Sequence, residues 1–370
     1  SLTLNKNYSP EVSRDGNIFI YVDINKKLQK IEYSLGKVTT TQIYASKSLI
    51  KDIRIENGLF IDTTSIATIS ANYSFNPFDS YDPYDQTSNK ATFNLYDLTS
   101  NKATLKHSFD ISYNWNDSTV QIYKQSENVY HYTYTDNSNN LKIYTLDISN
   151  NTSTFKGDIS NVNSNNGGWN NGAWIANNDV SYIATNDKYN NNNNNNTKIY
   201  KRTDASWTML KNFSNTNFSG DSGSNNTFEQ GYGTITDDGS KIALQNSNSY
   251  NIQVYNINSN FTSYGNEIKQ HDNFMTTYFL NNKGTHIGVS SISPQAFKKT
   301  VRCTNQNTNQ CSWLDFNTII YKYDKKSATW KQVGNTIKGL ISSINETGDF
   351  IYVVTEQNNI SNTLAYYKLE

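Results

Sequence analysis

One short element recurs seven times along this chain, and it constrains the fold more than any other feature of the sequence. Each copy is a Gly, Asn or Asp at a turn, followed by a short run of mainly apolar residues. These residue types tolerate the positive φ angles of tight turns, so each copy predicts a turn that leads into a β-strand. The seven turn residues are Gly16, Gly58, Asn128, Asp179, Gly239, Gly284 and Gly348.

A second recurring element follows these strands. It is an apolar strand that ends in Tyr, then a polar turn and another strand, and its clearest copies end at Tyr96, Tyr144, Tyr200 and Tyr255. A further apolar strand is predicted before each turn residue, for example over 49–55 in the second unit. Alternation of apolar and polar residues indicates strands with one buried face. Each unit therefore predicts a small sheet of four strands.

The two ends of the sequence complement each other. The last unit stops after its third strand, Leu364–Leu369, and a spare strand, Ser1–Leu4, precedes the first unit. Pairing of these two strands closes the units into a ring and removes exposed sheet edges. The sequence therefore predicts one all-β domain, a seven-bladed β-propeller whose last blade is closed by the N-terminal strand. An open β-solenoid or a pair of β-sandwiches is the alternative.

The predicted blades cover residues 6–46, 47–110, 111–159, 160–220, 221–269 and 270–338, and the seventh combines 339–370 with 1–5. Their turn-and-strand element, their Ile-Tyr or Val-Tyr strand and the ending from Trp330 to Ile337 resemble WD40-like propeller repeats. They are similar in particular to degenerate blades of bacterial surface proteins and of proteins from large DNA viruses. The resemblance implies a propeller that serves as a binding platform or a structural part.

Composition agrees with a folded β protein that carries few charges. Only 35% of the residues are hydrophobic and 17% are charged, while 58 are asparagine. Because 32 basic residues balance 32 acidic ones and 13% of residues are aromatic, the chain differs from highly charged disordered sequences. The balanced charge argues against a nucleic-acid partner, and no apolar run approaches the ~20 residues of a membrane span.

An aromatic and acidic insertion interrupts the second predicted blade, and insertions of this kind carry specificity more often than strands do. Three interpretations are open: packing or subunit contact, recognition of a partner or ligand, and binding of a hard cation by three carboxylates. The last is the weakest, because the Asp spacing matches no EF-hand loop. The candidate binding residues are Phe75, Phe78, Asp79, Tyr81, Asp82, Tyr84 and Asp85.

Two further segments depart from the repeat. The low-complexity run Asn190–Asn196 is interpreted as a contact with a neighbouring subunit. The only cysteines, Cys303 and Cys311, flank a polar loop with no His nearby. A disulfide is therefore favoured over a metal site, with two reduced thiols as the alternative. A disulfide indicates an oxidising location, outside a cell or in a mature virion.

The sequence carries no recognisable catalytic motif. The histidines His107, His131, His271 and His286 are spread over three predicted blades, and packed or solvated roles are favoured for His131 and His286. No nucleophile elbow, phosphate-binding glycine loop or HExxH pair is present. A glycosidase-type carboxylate pair leaves no sequence signature and is the remaining enzymatic alternative. We therefore predict that the chain is not an enzyme and has no catalytic residues.

These observations favour a structural or interaction component of an extracellular assembly or a virion, with other proteins or copies of this chain as partners. The alternative is a surface adhesin or lectin-like module that binds a receptor or a glycan through aromatic rim loops. Tyr and Trp rings with Asn amides suit such recognition, since rings stack and amides form hydrogen bonds. Neither function calls for a metal or another cofactor.

Overall fold

The computed structural model of the protein describes residues 2–5, 11–13, 15–53, 58–71, 74–75, 84–85, 90–112, 120–136, 138, 140–160, 162, 174–187, 196–203, 206–217, 234–246, 248–269, 276–292, 311–312, 316–357 and 361–369. These residues form strands and one short helix. In chain order, with the helix placed between β5 and β6, the elements are β1 (Leu2–Asn5), β2 (Glu11–Val12), β3 (Ile18–Val22), β4 (Leu28–Ser34), β5 (Lys37–Ile43), α1 (Lys47–Asp52), β6 (Gly58–Ile61), β7 (Ser65–Ala71), β8 (Ser74–Phe75), β9 (Tyr84–Asp85), β10 (Lys90–Asp97), β11 (Thr104–Ser112), β12 (Gln121–Lys124), β13 (Val129–Thr135), β14 (Leu141–Asp147), β15 (Thr152–Ile159), β16 (Trp174–Ala176), β17 (Tyr182–Asp187), β18 (Asn196–Thr203), β19 (Ser206–Ser214), β20 (Thr216–Asn217), β21 (Lys241–Asn246), β22 (Ile252–Asn256), β23 (Thr262–Ser263), β24 (Thr276–Leu280), β25 (His286–Ser291), β26 (Cys311–Ser312), β27 (Asn317–Asp324), β28 (Thr329–Lys338), β29 (Leu340–Ile344), β30 (Phe350–Gln357) and β31 (Ser361–Lys368).

The strands form seven small antiparallel sheets, which are the blades of a β-propeller. The first strand of a blade is buried, as at Trp174–Ala176, and the fourth is mostly exposed, as at Ser206–Ser214. The sheets are β2-β3-β4-β5, β6-β7-β10-β11, β12-β13-β14-β15, β16-β17-β18-β19, β20-β21-β22-β23, β24-β25-β27-β28 and β29-β30-β31-β1. The predicted fold class is therefore confirmed.

The core lies between neighbouring blades, and the second strands show why their sequences are apolar on both faces. All five residues of β3, Ile18–Val22, are buried. Ile18 and Ile20 pack with the second blade, whereas Phe19 and Tyr21 pack with the seventh. A strand between two sheets thus replaces the alternating pattern by a continuous apolar run.

The seventh blade is closed by the N-terminal strand, as the sequence predicted. β1 pairs antiparallel with β31, and Leu2 lies opposite Leu364. The first and seventh blades are also joined where Tyr33 stacks on Phe350, with ring centroids 4.4 Å apart. The Tyr33 hydroxyl donates a 2.8 Å hydrogen bond to Asp349. The chain ends and the side chains beside them therefore hold the ring together.

The second blade departs from the prediction in one place. Gly58 is not the turn residue before the second strand, because it begins the first strand, β6, and the turn follows at 62–64. The predicted first strand over 49–55 is largely the helix α1 instead. Ser46 accepts a hydrogen bond from the Leu49 amide and caps this helix. Among the described residues, no helix is long and apolar enough to cross a membrane.

Candidate functional site

The two ends of the propeller differ in the connections they carry. Because successive strands of a blade run in opposite directions, the first-to-second and third-to-fourth connections meet at one end, which we call the turn end. The second-to-third connections and the links between blades meet at the other, the insertion end. Apart from 218–240 between β20 and β21, which lies largely outside the described residues, the longest connection at the turn end is 98–103, with six residues. At the insertion end, 25 residues lie between Ser291 and Asn317.

A repeated polar residue builds the turn end. It begins the turn before the second strand, and its side chain accepts a hydrogen bond from the amide of a residue at the end of that turn or the start of the second strand; the copies are Ser13, Asn177, Thr236, Asn281 and Asn345. At Asn345, the side-chain oxygen accepts bonds from the Asp349 and Phe350 amides, both at 3.0 Å. Such bonds satisfy the turn amides and fix its shape.

Hydrogen bonds between blades continue this network around the turn end. Asn281 Nδ2 donates to the Glu346 carbonyl at 2.8 Å, from the sixth blade to the seventh. The Glu346 amide then donates to the Asp15 carbonyl at 2.7 Å, from the seventh blade to the first. Lys124 and Asp62 form an ion pair between the third and second blades. The turn end is therefore a frame in which neighbouring blades are bonded to each other.

Gly16 shows how closely the blades approach at this end. Its φ is +69°, a left-handed value that favours glycine. A Cβ on Gly16 would lie 2.5 Å from the Cα of Asn345 in the seventh blade. Both the backbone conformation and the contact between blades therefore favour glycine at this position.

Part of the predicted recognition loop lies at the insertion end of the second blade. Phe75 is paired with Tyr84, and Ser74 with Asp85, in the two-stranded sheet β8-β9. The remaining candidates Phe78, Asp79, Tyr81 and Asp82, together with most of the run Asn190–Asn196, lie outside the described residues. Recognition by this loop stays a prediction.

The connection within the sixth blade reaches the seventh at the same end. Cys311 and Ser312, in β26, pair with Gln357 and Glu356 of β30. Ile292 and Phe316, which flank the undescribed part of this connection, are buried in the core shared by the seventh and first blades. Cys303 lies outside the described residues, so its disulfide with Cys311 stays a prediction.

Beside this connection, buried polar bonds join strands β25 and β27 of the sixth blade to the start of the seventh. Ser290 Oγ accepts a 2.7 Å hydrogen bond from the Ile341 amide. Thr318 Oγ1 donates a 2.6 Å bond to the Gly339 carbonyl. Since both hydroxyls are buried, each bond satisfies groups that water does not reach.

Two histidines of the repeat are buried. His131 is 1% exposed, and its Nε2 and Nδ1 lie 3.0 Å from Gln125 Oε1 and 2.9 Å from Thr145 Oγ1. Burial lowers the pKa of His131 to about 4, and burial also lowers that of His286 to about 4. Both imidazole rings are therefore neutral near pH 7, which is consistent with packed roles for these histidines.

The sequence interpretation missed one buried acid, Glu11, which is 4% exposed on the first strand of the first blade. Burial raises the pKa of Glu11 well above its ordinary value. A single Glu beside an apolar strand residue has no sequence signature. In the described part of the chain, no three His, Cys, Asp or Glu side chains come together as metal ligands, and Asp79 and Asp82 lie outside that part.

Comparisons with known proteins show the fold and no family. No protein-family model and no curated protein matches this sequence. Among solved structures, hydrazine synthase of Kuenenia stuttgartiensis is similar at a TM-score of 0.50 and 12% identity, over 97% of this chain and 96% of the other. A protein from Lactobacillus plantarum has a TM-score of 0.46 and 9% identity, over 99% and 96% of the two chains. A putative 6-phosphogluconolactonase from Bacteroides fragilis has a TM-score of 0.44 and 11% identity, over 90% and 85%.

These comparisons correct one prediction from the sequence. The prediction that the chain is not an enzyme is contradicted, because the solved structures that share its fold include one that is named as an enzyme, hydrazine synthase. At 12% identity the likeness shows the fold alone and assigns no reaction to this chain. The resemblance to WD40-like blades is confirmed only as far as the propeller itself.

Proposed function

We propose that this propeller is an interaction component of a larger extracellular or virion assembly, and that its insertion end contacts the partner proteins or further copies of the chain. The observation that supports this most is the difference between the two ends. Apart from the connection between β20 and β21, short, hydrogen-bonded turns occupy one end, and the other long connections leave from the opposite end. Binding residues are commonly carried on connections that a rigid scaffold positions.

The packing of the frame supports the same proposal. The bond from the Glu346 amide to the Asp15 carbonyl joins the seventh blade to the first. The pairing of Leu2 with Leu364 joins the N-terminal strand to the seventh blade. The pairing of Cys311 with Gln357 attaches a long connection to a neighbouring blade. Connections anchored on such a frame lose little freedom on binding, which favours affinity.

Lysine cross-linking of the protein in its native source tests the orientation of this surface. Lys26 is at the insertion end, in the second-to-third connection of the first blade, whereas Lys283 and Lys325 are in turns at the opposite end. We expect cross-links to partner proteins from Lys26 and few from Lys283 or Lys325. Partner cross-links confined to Lys283 and Lys325 would contradict the proposal.

A loop replacement provides the matched functional test. Ala71 lies opposite Ala91, so residues 72–90 can be replaced by Asn-Gly, which forms a two-residue hairpin between paired strands. We expect this variant to fold and to lose partner binding measured by co-purification. Leu35→Asn is the control at the turn end, because Leu35 is 98% exposed with a φ of +50° that Asn tolerates. It should bind as the parent protein does.

A further inference from the structure

The outer strands of the third and fourth blades face each other across a groove on the rim of the propeller. Phe155 of β15 packs on Tyr144 on the side of the second blade, so its neighbour Thr154 faces the fourth blade. Lys156 lies in the irregularity that follows, and its charge acts on His131, which faces the fourth blade. On the fourth blade, Trp207 packs with the core shared with the third. The two strands β15 and β19 are in contact.

Pairing within the fourth blade places a cation and apolar side chains on the same face. Arg202 lies opposite Trp207, and Met209 lies opposite Tyr200, which also packs towards the third blade. Met209 is 51% exposed, and Arg202 and Trp207 are half-buried. We call the surface formed by Thr154, Lys156, Arg202, Trp207 and Met209 the rim groove.

Buried His131 forms the floor beneath these cations. Its face is shared with Thr145, whose hydroxyl lies 2.9 Å from Nδ1, on the side of the third blade that meets the fourth. Burial, then the charge of Arg202 and more weakly that of Lys156, lower the pKa of His131, whereas Asp179 raises it. All three charges therefore lie near the imidazole, which is itself neutral near pH 7.

The two cations of the rim groove lack the partners that other lysines of these blades have. Lys142 forms ion pairs with Asp136 at 3.2 Å and Asp158 at 2.7 Å. Within the described chain, neither Lys156 nor Arg202 has a carboxylate within ion-pair distance. The Asp179 carboxylate is engaged in its own turn, where it accepts bonds from Asn177 and Ser181. Two half-buried cations thus face one carboxylate, and the groove has a net positive charge.

We propose that the rim groove binds a saccharide that bears a carboxylate or a sulfate group. Arg202 presents a planar fork that pairs with either group through two hydrogen bonds, and Lys156 adds a second charge. The Trp207 ring and Met209 provide an apolar wall for the CH face of a sugar ring, and the exposed Thr154 hydroxyl faces the same groove.

One pair of cations beside one aromatic ring suits a single acidic sugar. A protein that binds a nucleic acid makes many basic contacts with its phosphates, whereas this chain has a net charge of zero. The proposal concerns the rim and not the insertion end, so it stands or fails independently of the proposed function.

An array of sulfated, sialylated, uronic-acid and uncharged oligosaccharides tests the proposal with the intact chain. We expect acidic glycans to bind and their uncharged counterparts not to bind, with the preferred acid group distinguishing carboxylate from sulfate. Arg202→Gln and Lys156→Gln should each weaken binding, Arg202→Gln by about tenfold or more, because charge-assisted bonds are lost. Raised salt should weaken binding as well.

The matched control is Lys211→Gln, on the same outer strand. Lys211 is exposed and lies above the ring of Phe213, which packs towards the fifth blade. This variant should bind as the parent does. Arg202→Lys, which keeps the charge and loses the fork, should bind between the parent and Arg202→Gln, and thermal unfolding should show that each variant is folded. The proposal is overturned if no acidic glycan binds, if only nucleic acid or acidic peptides bind, or if folded Arg202→Gln and Lys156→Gln retain full binding.

Discussion

Leu2 lies directly opposite Leu364, although the two residues come from opposite ends of the chain. This pair belongs to a short antiparallel ladder that runs from Leu2–Asn5 to Ser361–Leu364. Without it, the outer edge of β31 would have no partner strand, and the seventh blade would have three strands where the others have four. Closure of the propeller therefore depends on four residues at the N-terminus.

A disulfide between Thr3→Cys and Thr363→Cys should lock this closure. The two residues lie opposite each other, and opposed Cβ atoms in antiparallel pairs are about 4.5–5.5 Å apart, close to disulfide geometry. Cross-linking the chain ends restricts the unfolded chain, with an upper gain on the order of 5 kcal/mol for a loop of this length. We expect a higher unfolding temperature that falls on reduction.

The measurement uses a background with Cys303→Ser and Cys311→Ser, so that mobility on a non-reducing gel reports the new bond alone. Thr3→Cys combined with Thr262→Cys, on the fifth blade, is the control that should not cross-link. Failure of the Thr3 and Thr363 pair to oxidise would contradict the closure.

Gly16→Ala should destabilise the protein more than Gly334→Ala. Both glycines have left-handed φ values, +69° and +65°, so both substitutions incur a backbone cost of about 1–2 kcal/mol. Only at Gly16 does the new Cβ meet backbone of a neighbouring blade, at 2.5 Å from Asn345 Cα, while nothing lies within 4 Å of it at Gly334. We expect Gly16→Ala to cost about 1–3 kcal/mol more in urea unfolding. Equal costs would argue against the blade contact.

The sequence predicted the propeller because the same pattern of strands and turns recurs in each unit. Strands that lie between two sheets must be apolar on both faces, and Ile18–Val22 shows that run directly. The failure in the second blade has a local cause. Leu49 and Ile53 are four residues apart, which is a helical spacing, and Ser46 caps the turn that buries them. Reading 49–55 as a strand ignored this spacing.

The rim groove was not predictable from the sequence. Lys156 and Arg202 belong to different blades, and single cations on exposed strands are ordinary. The face on which Lys156 lies depends on an irregularity in the pairing of β14 with β15, between Lys142 and Tyr144. A shift of one residue turns a side chain to the other face of a sheet. The two cations come together only through the register of β15 on β14 and the packing of the fourth blade against the third.

His131 should make the protein less stable as the pH falls. Its pKa is about 4 in the folded protein and 6.5 in the unfolded chain, so the unfolded chain binds more protons between these values. The stability is fully present above pH 6.5 and decreases as the pH falls to 4, by about 3 kcal/mol for this group. His286 acts in the same direction. Urea unfolding at a series of pH values measures the loss.

His131→Gln isolates the contribution of this residue. The variant should be less stable than the parent at pH 7, because two polar contacts change, and the difference should shrink as the pH approaches 4. A constant difference from pH 7 to pH 4 would show that His131 does not carry the pH dependence.

Glu11→Gln should stabilise the protein at neutral and higher pH. Glu11 lies opposite Ile20, which packs in the apolar core between the first and second blades. Burial raises the pKa of Glu11, so the folded protein holds this proton above the pKa of about 4.5 in the unfolded chain. The folded state binds more protons there, and stability therefore falls as the pH rises above 4.5.

A glutamine has no proton to lose, so the difference in unfolding free energy between variant and parent should grow with pH above 4.5 and stay constant below it. A Glu11→Gln variant whose advantage does not change with pH would mean that the carboxyl group is ionised in the folded protein.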